Sequence, residues 1–197
     1  AVLGGMSANA FAERLIKVAT EPTFPPFEFV NTQTGEVSGF EMDLVRAVGK
    51  ELGAKIEFQV LSFDAIIPAM LSGTVEMGAA GFSITEERKK RVLFTEPFYK
   101  SGLTVLVAKG NEDKIQGFKD LDGRKLAVQI GTTGAAYAKN VEGARVSAFN
   151  TTSEAFMDLN VKNADAVVLD RPVLAYFLKT KPRVAKNLQL STEIADA

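Results

Sequence analysis

The sequence contains no cysteine and no histidine. Zinc sites built on thiolate or imidazole, cysteine nucleophiles and any Ser-His-Asp triad are therefore excluded by composition alone. No apolar run reaches the roughly 18 residues that suggest a membrane-spanning helix. A dominant charge is missing too: 23 basic and 24 acidic residues leave a formal net charge of −1, with no long run of one sign. Nucleic acid and anionic membrane surfaces therefore have no electrostatic footprint to bind. The densest cluster, Arg88-Lys89-Lys90-Arg91, follows Glu86-Glu87 and by itself reads as a solvated helix face. A chain without cysteine fits an exported protein and a cytosolic one equally, so the redox compartment stays open.

The chain has 197 residues, 46% of them hydrophobic and 24% charged. That is enough for two small domains with separate cores, or for one larger one. Residues 1–12 are small, apolar and uncharged, and end in overlapping Ala-x-Ala patterns from Ala8 to Ala12. They predict the end of a secretory signal peptide with its cleavage site.

From Leu15 onward, β-prone runs alternate with amphipathic helical runs, which is the grammar of an α/β fold. Strands are predicted at Leu15–Thr20, Lys55–Leu61, Val75–Ala80 and Thr104–Ala108. Helices are predicted at Met42–Leu52, with Leu44, Val45, Val48 and Leu52 on one face, and at Asp64–Leu71. Asn31–Gly39 reads as a hairpin-like turn, and Thr85 caps a helix with Glu86 and Glu87 in its first turn. The polar stretch Lys109–Asp113 reads as a crossover, dividing a first lobe, residues 13–109, from a second, residues 110–187. In the second lobe the pattern repeats. It gives strands at Lys125–Ile130, Arg145–Phe149 and Ala166–Leu169, and helices opening at Gly131, Ser153 and Arg171-Pro172.

Several segments carry a more specific signal. Val18 to Phe29, with Glu21-Pro22-Thr23-Phe24-Pro25-Pro26-Phe27-Glu28, precedes Gly39-Phe40-Glu41-Met42-Asp43-Leu44. Next come Phe63 to Met70, Gly81-Phe82-Ser83-Ile84-Thr85-Glu86-Glu87-Arg88 and Phe94 to Tyr99. Gln129-Ile130-Gly131-Thr132-Thr133-Gly134 and Ala164 to Asp170 complete the order. This series resembles the family 3 bacterial extracellular solute-binding proteins, in particular the glutamine- and arginine-binding ones, from about Ile16 to about Phe177.

The resemblance implies a two-lobed periplasmic-binding-protein-like fold of type II, each lobe a sheet flanked by helices. In that family the chain returns from lobe two to complete lobe one. This sequence stops at Leu188–Ala197, where such a return begins, so the resemblance implies that lobe one lacks its C-terminal part. It further implies a monomer outside the cytoplasm, periplasmic or membrane-anchored, that closes on a free amino acid and delivers it to the membrane permease of an ABC transporter. No cofactor and no metal are implied.

A free amino acid carries a carboxylate, an ammonium and a side chain, so its site needs three chemistries. The resemblance assigns the carboxylate to Arg88, Ser83, Thr132 and Thr133, although the two threonines would also serve as helix caps. It assigns the ammonium to Asp170, the Gly81 carbonyl and Ser83; Asp170 could instead simply cap the helix that follows it. Glu21, Phe24, Phe63, Phe82 and Gln129 are assigned to the remaining wall of the pocket. An anion at Glu21 favours arginine or lysine over glutamine, and the phenylalanines suit a guanidinium by cation–π attraction. Two other readings stay open: a sensor domain of a membrane receptor, and a cyclohexadienyl dehydratase-like enzyme.

Overall fold

The computed structural model describes residues 13–195; the predicted signal remnant lies outside them. The chain begins with β1 (Arg14–Thr20), then the short strands β2 (Thr23–Phe24), β3 (Glu28–Val30) and β4 (Val37–Ser38). Helix α1 (Phe40–Glu51), β5 (Ala54–Val60), α2 (Phe63–Leu71), β6 (Met77–Gly78) and α3 (Glu86–Lys89) follow. The second half contains β7 (Leu103–Ala108), β8 (Lys125–Gln129), α4 (Thr133–Lys139), β9 (Arg145–Phe149) and α5 (Thr152–Asn160). It continues with β10 (Ala166–Asp170), α6 (Arg171–Thr180), α7 (Pro182–Ala185) and β11 (Leu188–Leu190).

These strands form two main sheets. The first has the order β5-β1-β6, all parallel, and the second β11-β7-β10-β8-β9, with β7 antiparallel to both its neighbours. A small antiparallel sheet, β2-β3-β4, folds the predicted hairpin region beside the first. The turn after β3 is fixed by the Asn31 side chain, which accepts from the backbone N–H groups of Gln33 and Thr34. The left-handed Gly39, at φ 125°, places the chain where a Cβ would lie 2.3 Å from the Phe27 carbonyl oxygen, so this entry into α1 requires glycine.

In the second sheet, strand alternation sorts the residues cleanly between two cores. Val105, Val107, Leu126, Val128, Ala166 and Val168 face α4, while Leu106, Ala127, Val167 and Leu169 face α5 and α6. The second core also takes in Phe24 and Phe27 from the first half of the chain. Hydrophobic contact therefore runs continuously from one lobe into the other.

Several expectations change. Leu103–Ala108 is hydrogen-bonded into the second sheet, so the passage between sheets lies in the irregular residues before it and not at Lys109–Asp113. Five of its six residues are buried between β10 and β11, and such an apolar strand goes where both faces can be covered. Residues 188–190 belong to that sheet as well, running antiparallel along β7, and a Leu103–Ala195 bridge extends the pairing. In the first lobe, α1 buries Met42, Val45 and Gly49, whereas Val48 and Leu52 are exposed. Two apolar stripes share this helix, and the one ending in Gly49 wins because Ile56 closes in to 2.5 Å of where a Cβ would stand. The strand expected at Val75–Ala80 shrinks to Met77–Gly78, paired only with β1.

Leu106 is fully buried in β7 between two strands and a helical layer. Leu106→Ala is expected to lower unfolding stability by roughly 2–5 kcal/mol, measured as the urea midpoint at unchanged slope. A midpoint left where it was would show that β7 is not central to the fold.

Candidate functional site in the cleft between the lobes

The C-terminal ends of β1, β6, β8 and β10 converge where the sheets meet, the place at which open α/β sheets commonly bind ligands. Phe24, Phe63, Gly81, Ser83 and Arg88 from the first lobe line one cavity there. Ala80, which the sequence did not single out, joins them from the first lobe, and Gln129, Thr132, Thr133 and Asp170 line the cavity from the second.

Arg88 departs from the solvated-face reading of its cluster. Lys89 pairs with Glu86 at 2.8 Å on the surface, but the Arg88 guanidinium turns inward over the stacked rings of Phe63 and Phe82, at 5.5 and 5.2 Å from their centroids. Its Nη1 donates to the Ser83 carbonyl at 2.8 Å, and its Nη2 donates across the cleft to the Gly131 carbonyl at 2.9 Å. Helix α3 supplies the geometry: the Thr85 hydroxyl accepts from the Arg88 N–H, as an N-cap should. Burial pushes the guanidinium's pKa down, and the neighbouring Asp170 pulls it back.

Asp170 stands at the N-cap position of α6, yet its side chain makes no capping bond. It accepts instead from the Ser101 hydroxyl at 2.7 Å and is 5% exposed. Burial raises its pKa, while the Ser101 hydrogen bond and the Arg88 charge lower it. The capping alternative is thereby replaced by a carboxylate turned into the cleft. Ser101 was not foreseen; it lies in the irregular passage between the sheets, where periodicity gives no signal.

Thr132 does cap α4, accepting from the Ala135 N–H at 3.0 Å while donating to the Gln129 carbonyl at 2.8 Å. Glu21 is not among the residues lining the cavity. One of its oxygens accepts from Gln129 Nε2 and from the Thr23 hydroxyl, both at 2.7 Å, so it stands behind Gln129. Burial raises the Glu21 pKa against these two hydrogen bonds. Phe82 likewise supports the site from behind Phe63.

Thr23 joins the lobes directly. Its hydroxyl accepts from the Thr152 N–H at 3.1 Å, and its carbonyl accepts from the Thr152 hydroxyl. With the Arg88–Gly131 and Gln129–Glu21 bonds, this closes the cleft. The cavity measures about 10 Å³, room for one water-sized sphere. A wider cavity of about 700 Å³ adjoins it, lined largely by apolar residues of α1, α2 and the 92–101 stretch. The converging charged and hydrogen-bonding groups mark the smaller cavity as the chemical centre. Among the described residues no cluster of acidic side chains could hold a metal ion, and no helix is long and apolar enough to cross a membrane.

Two α/β lobes closing over a polar cavity define a binding protein of the hinged, two-lobed class. The sequence profile of the bacterial extracellular solute-binding proteins, family 3, matches residues 16–194, and the chain belongs to that family. Among curated relatives, a "Probable histidine-binding protein" of Campylobacter jejuni is 35% identical over 88% of this chain and 67% of its own length. The ABC transporter arginine-binding protein 1 of Escherichia coli is 31% identical over 98% of this chain and 78% of its own length. An ancestral arginine-binding protein solved with arginine superposes at a TM-score of 0.87, with 40% identity, covering 93% of this chain and 80% of that one. An ancestral arginine-binding protein solved with glutamine superposes at a TM-score of 0.83, with 40% identity over 93% of this chain and 80% of that one.

Thr23→Val removes the acceptor of the Thr152 N–H and one donor to Glu21, each loss worth roughly 1–3 kcal/mol if left uncompensated. The unliganded protein is then expected to open, read as a larger radius of gyration in X-ray scattering. An unchanged radius would remove Thr23 from the closure contacts.

Proposed function

We propose that the chain binds a free L-α-amino acid in the interlobe cleft, preferring a basic one, and delivers it to the membrane permease of an ABC importer. The observation that carries this reading is that Arg88 and Asp170 line the same cavity from opposite lobes, while neither is ion-paired among the described residues. A zwitterion satisfies both at once. Its carboxylate takes the Arg88 fork, exchanging with the Gly131 carbonyl, and gains the Ser83 hydroxyl and the Thr133 N–H. Its ammonium reaches Asp170, supported by the Gly81 carbonyl.

The preference for arginine or lysine is supported by what lies at the other end. Gln129 Nε2 is committed to Glu21 and to the Asn150 carbonyl, which leaves the amide oxygen as the end able to accept from a ligand cation. Glu21 places a negative charge behind it, and Phe24 and Phe63 offer aromatic faces. The relatives named for arginine support the same preference. The glutamine-bound ancestral structure supports glutamine as the second reading, since a neutral amide needs only the acceptor.

Transport follows from differential binding. Only the closed form offers both lobes' contacts, so ligand shifts the equilibrium toward it, and the closed surface is what the permease reads. The protein acts as a monomer outside the cytoplasm, periplasmic or membrane-anchored, and performs no chemistry on its ligand. Turnover of prephenate or arogenate would replace this with a dehydratase reading.

Titration calorimetry with arginine, lysine, histidine and glutamine tests the proposal. Arg88→Ala is expected to weaken every amino acid by about 2–5 kcal/mol, and undiminished binding would exclude Arg88 from the site. Glu21→Gln is expected to weaken arginine and lysine far more than glutamine; equal losses would remove Glu21 as the source of selectivity.

A further inference from the structure

Glu28, on β3, and Glu41, in the first turn of α1, are 0% and 5% exposed. Both carboxyl groups reach Gly81: Glu41 accepts its N–H, and a Cβ there would lie 3.4 Å from Glu28 Oε1, yet two ionised carboxylates would have only acceptors to offer each other. Neither Glu28 oxygen has a hydrogen-bond partner among the described residues. Among the described residues no lysine or arginine comes within ion-pair reach of either group. The charges facing the pair from neighbouring elements are Glu21 and Asp170, both acidic, with Arg88 lying beside Asp170.

The pair touches the cavity through one residue. Glu41 Oε2 accepts the Gly81 N–H at 2.7 Å. Gly81 is left-handed, at φ 63°, and a Cβ there would lie 2.7 Å from the Phe24 ring and 3.4 Å from Glu28 Oε1. Gly81 is thus packed against both the acid pair and a cavity-lining ring.

We infer that Glu28 and Glu41 hold one proton between them, and that this pair positions the Gly81 turn of the ligand cavity. Leaving both groups ionised would bury two like charges without a counter-ion, whereas one proton converts them into a donor and an acceptor. Burial, then the facing Glu41, drives the Glu28 pKa well above the ordinary carboxyl range; burial raises Glu41 as well, against the facing Glu28 and the Gly81 N–H. Because both shifts are upward, the shared proton is still held at a pH where an ordinary carboxyl has ionised, and it is lost as pH rises through the pair's titration. Deprotonation sets β3 and α1 in repulsion, and Gly81 moves with its acceptor. Glu28 and Glu41 are positioning residues: neither lines the small cavity.

The link to ligand rests on the amino-acid-binding reading, but the pair itself does not. Infrared spectroscopy of the purified protein at neutral pH should show the carbonyl band of a protonated carboxylic acid. That band should disappear on raising the pH and be missing in Glu28→Gln. The amide introduced by that substitution donates to Glu41 without titrating, so the Gly81 N–H should keep its hydrogen-exchange protection at alkaline pH, where the unaltered protein loses it. Arginine affinity should fall by up to about tenfold per pH unit above the titration in the unaltered protein, and the variant should lose that slope. Absence of the acid band, or the same pH dependence of Gly81 protection with and without the substitution, overturns the inference. If band and protection behave as stated but no amino acid binds at any pH, the pair stands and the binding reading falls.

Discussion

Buried charge is the constraint around which this molecule is arranged. The carboxyl groups of Glu21, Glu28, Glu41 and Asp170 lie buried near the junction of the two main sheets, with the half-buried guanidinium of Arg88 beside them. A charge in such a place persists only where hydrogen bonds, an opposite charge or a proton compensates it. Each group has found a different solution. Glu21 uses Gln129 and Thr23, Asp170 uses Ser101, Arg88 uses two carbonyls and two rings, Glu41 uses the Gly81 N–H, and the inferred shared proton serves Glu28.

Several of those solutions cross the cleft, which ties electrostatics to conformation. Opening the lobes breaks the Gln129 bond to Glu21 and the Arg88 bond to Gly131, leaving each group to water or to a ligand. Hydrophobic contact works in the same direction, because Phe24 and Phe27 complete a core built mainly by the second sheet. Phe24 therefore serves both the lobe contact and the wall of the cavity. A ligand that satisfies Arg88 and Asp170 together adds contacts that only the closed form offers, and these differential contacts set how far the equilibrium moves.

The two kinds of glutamate show how much chemistry can sit within one short segment. Glu21 and Glu28 are seven positions apart, on either side of a proline-rich loop. Glu21 meets donors and reads as an ionised acceptor, whereas Glu28 meets only another acid. The sequence presents both simply as acidic residues of one block. Their difference comes from α1, which brings Glu41 against Glu28, and from β8, which brings Gln129 against Glu21.

Much of the molecule was legible before any coordinates. Alternation and helical periodicity located four of the five strands of the second sheet to within a residue or two, because apolar patterning and backbone geometry share the same period, but gave no sign of β11. The ordered motif blocks named Arg88, Gln129, Thr132 and Asp170, which the fold then brings to one cavity. The sheet to which β7 belongs was not legible, since an apolar strand carries no mark of its neighbours. Neither was the inward turn of Arg88 beside two solvated lysines, nor the roles of Ser101 and Thr23. Local sequence thus determined which segments could form strands and helices and which residue types were available for a site. Only the tertiary structure decided which charge faces which partner, because that depends on contacts between residues as distant in sequence as Glu21 and Gln129, and no local period records them.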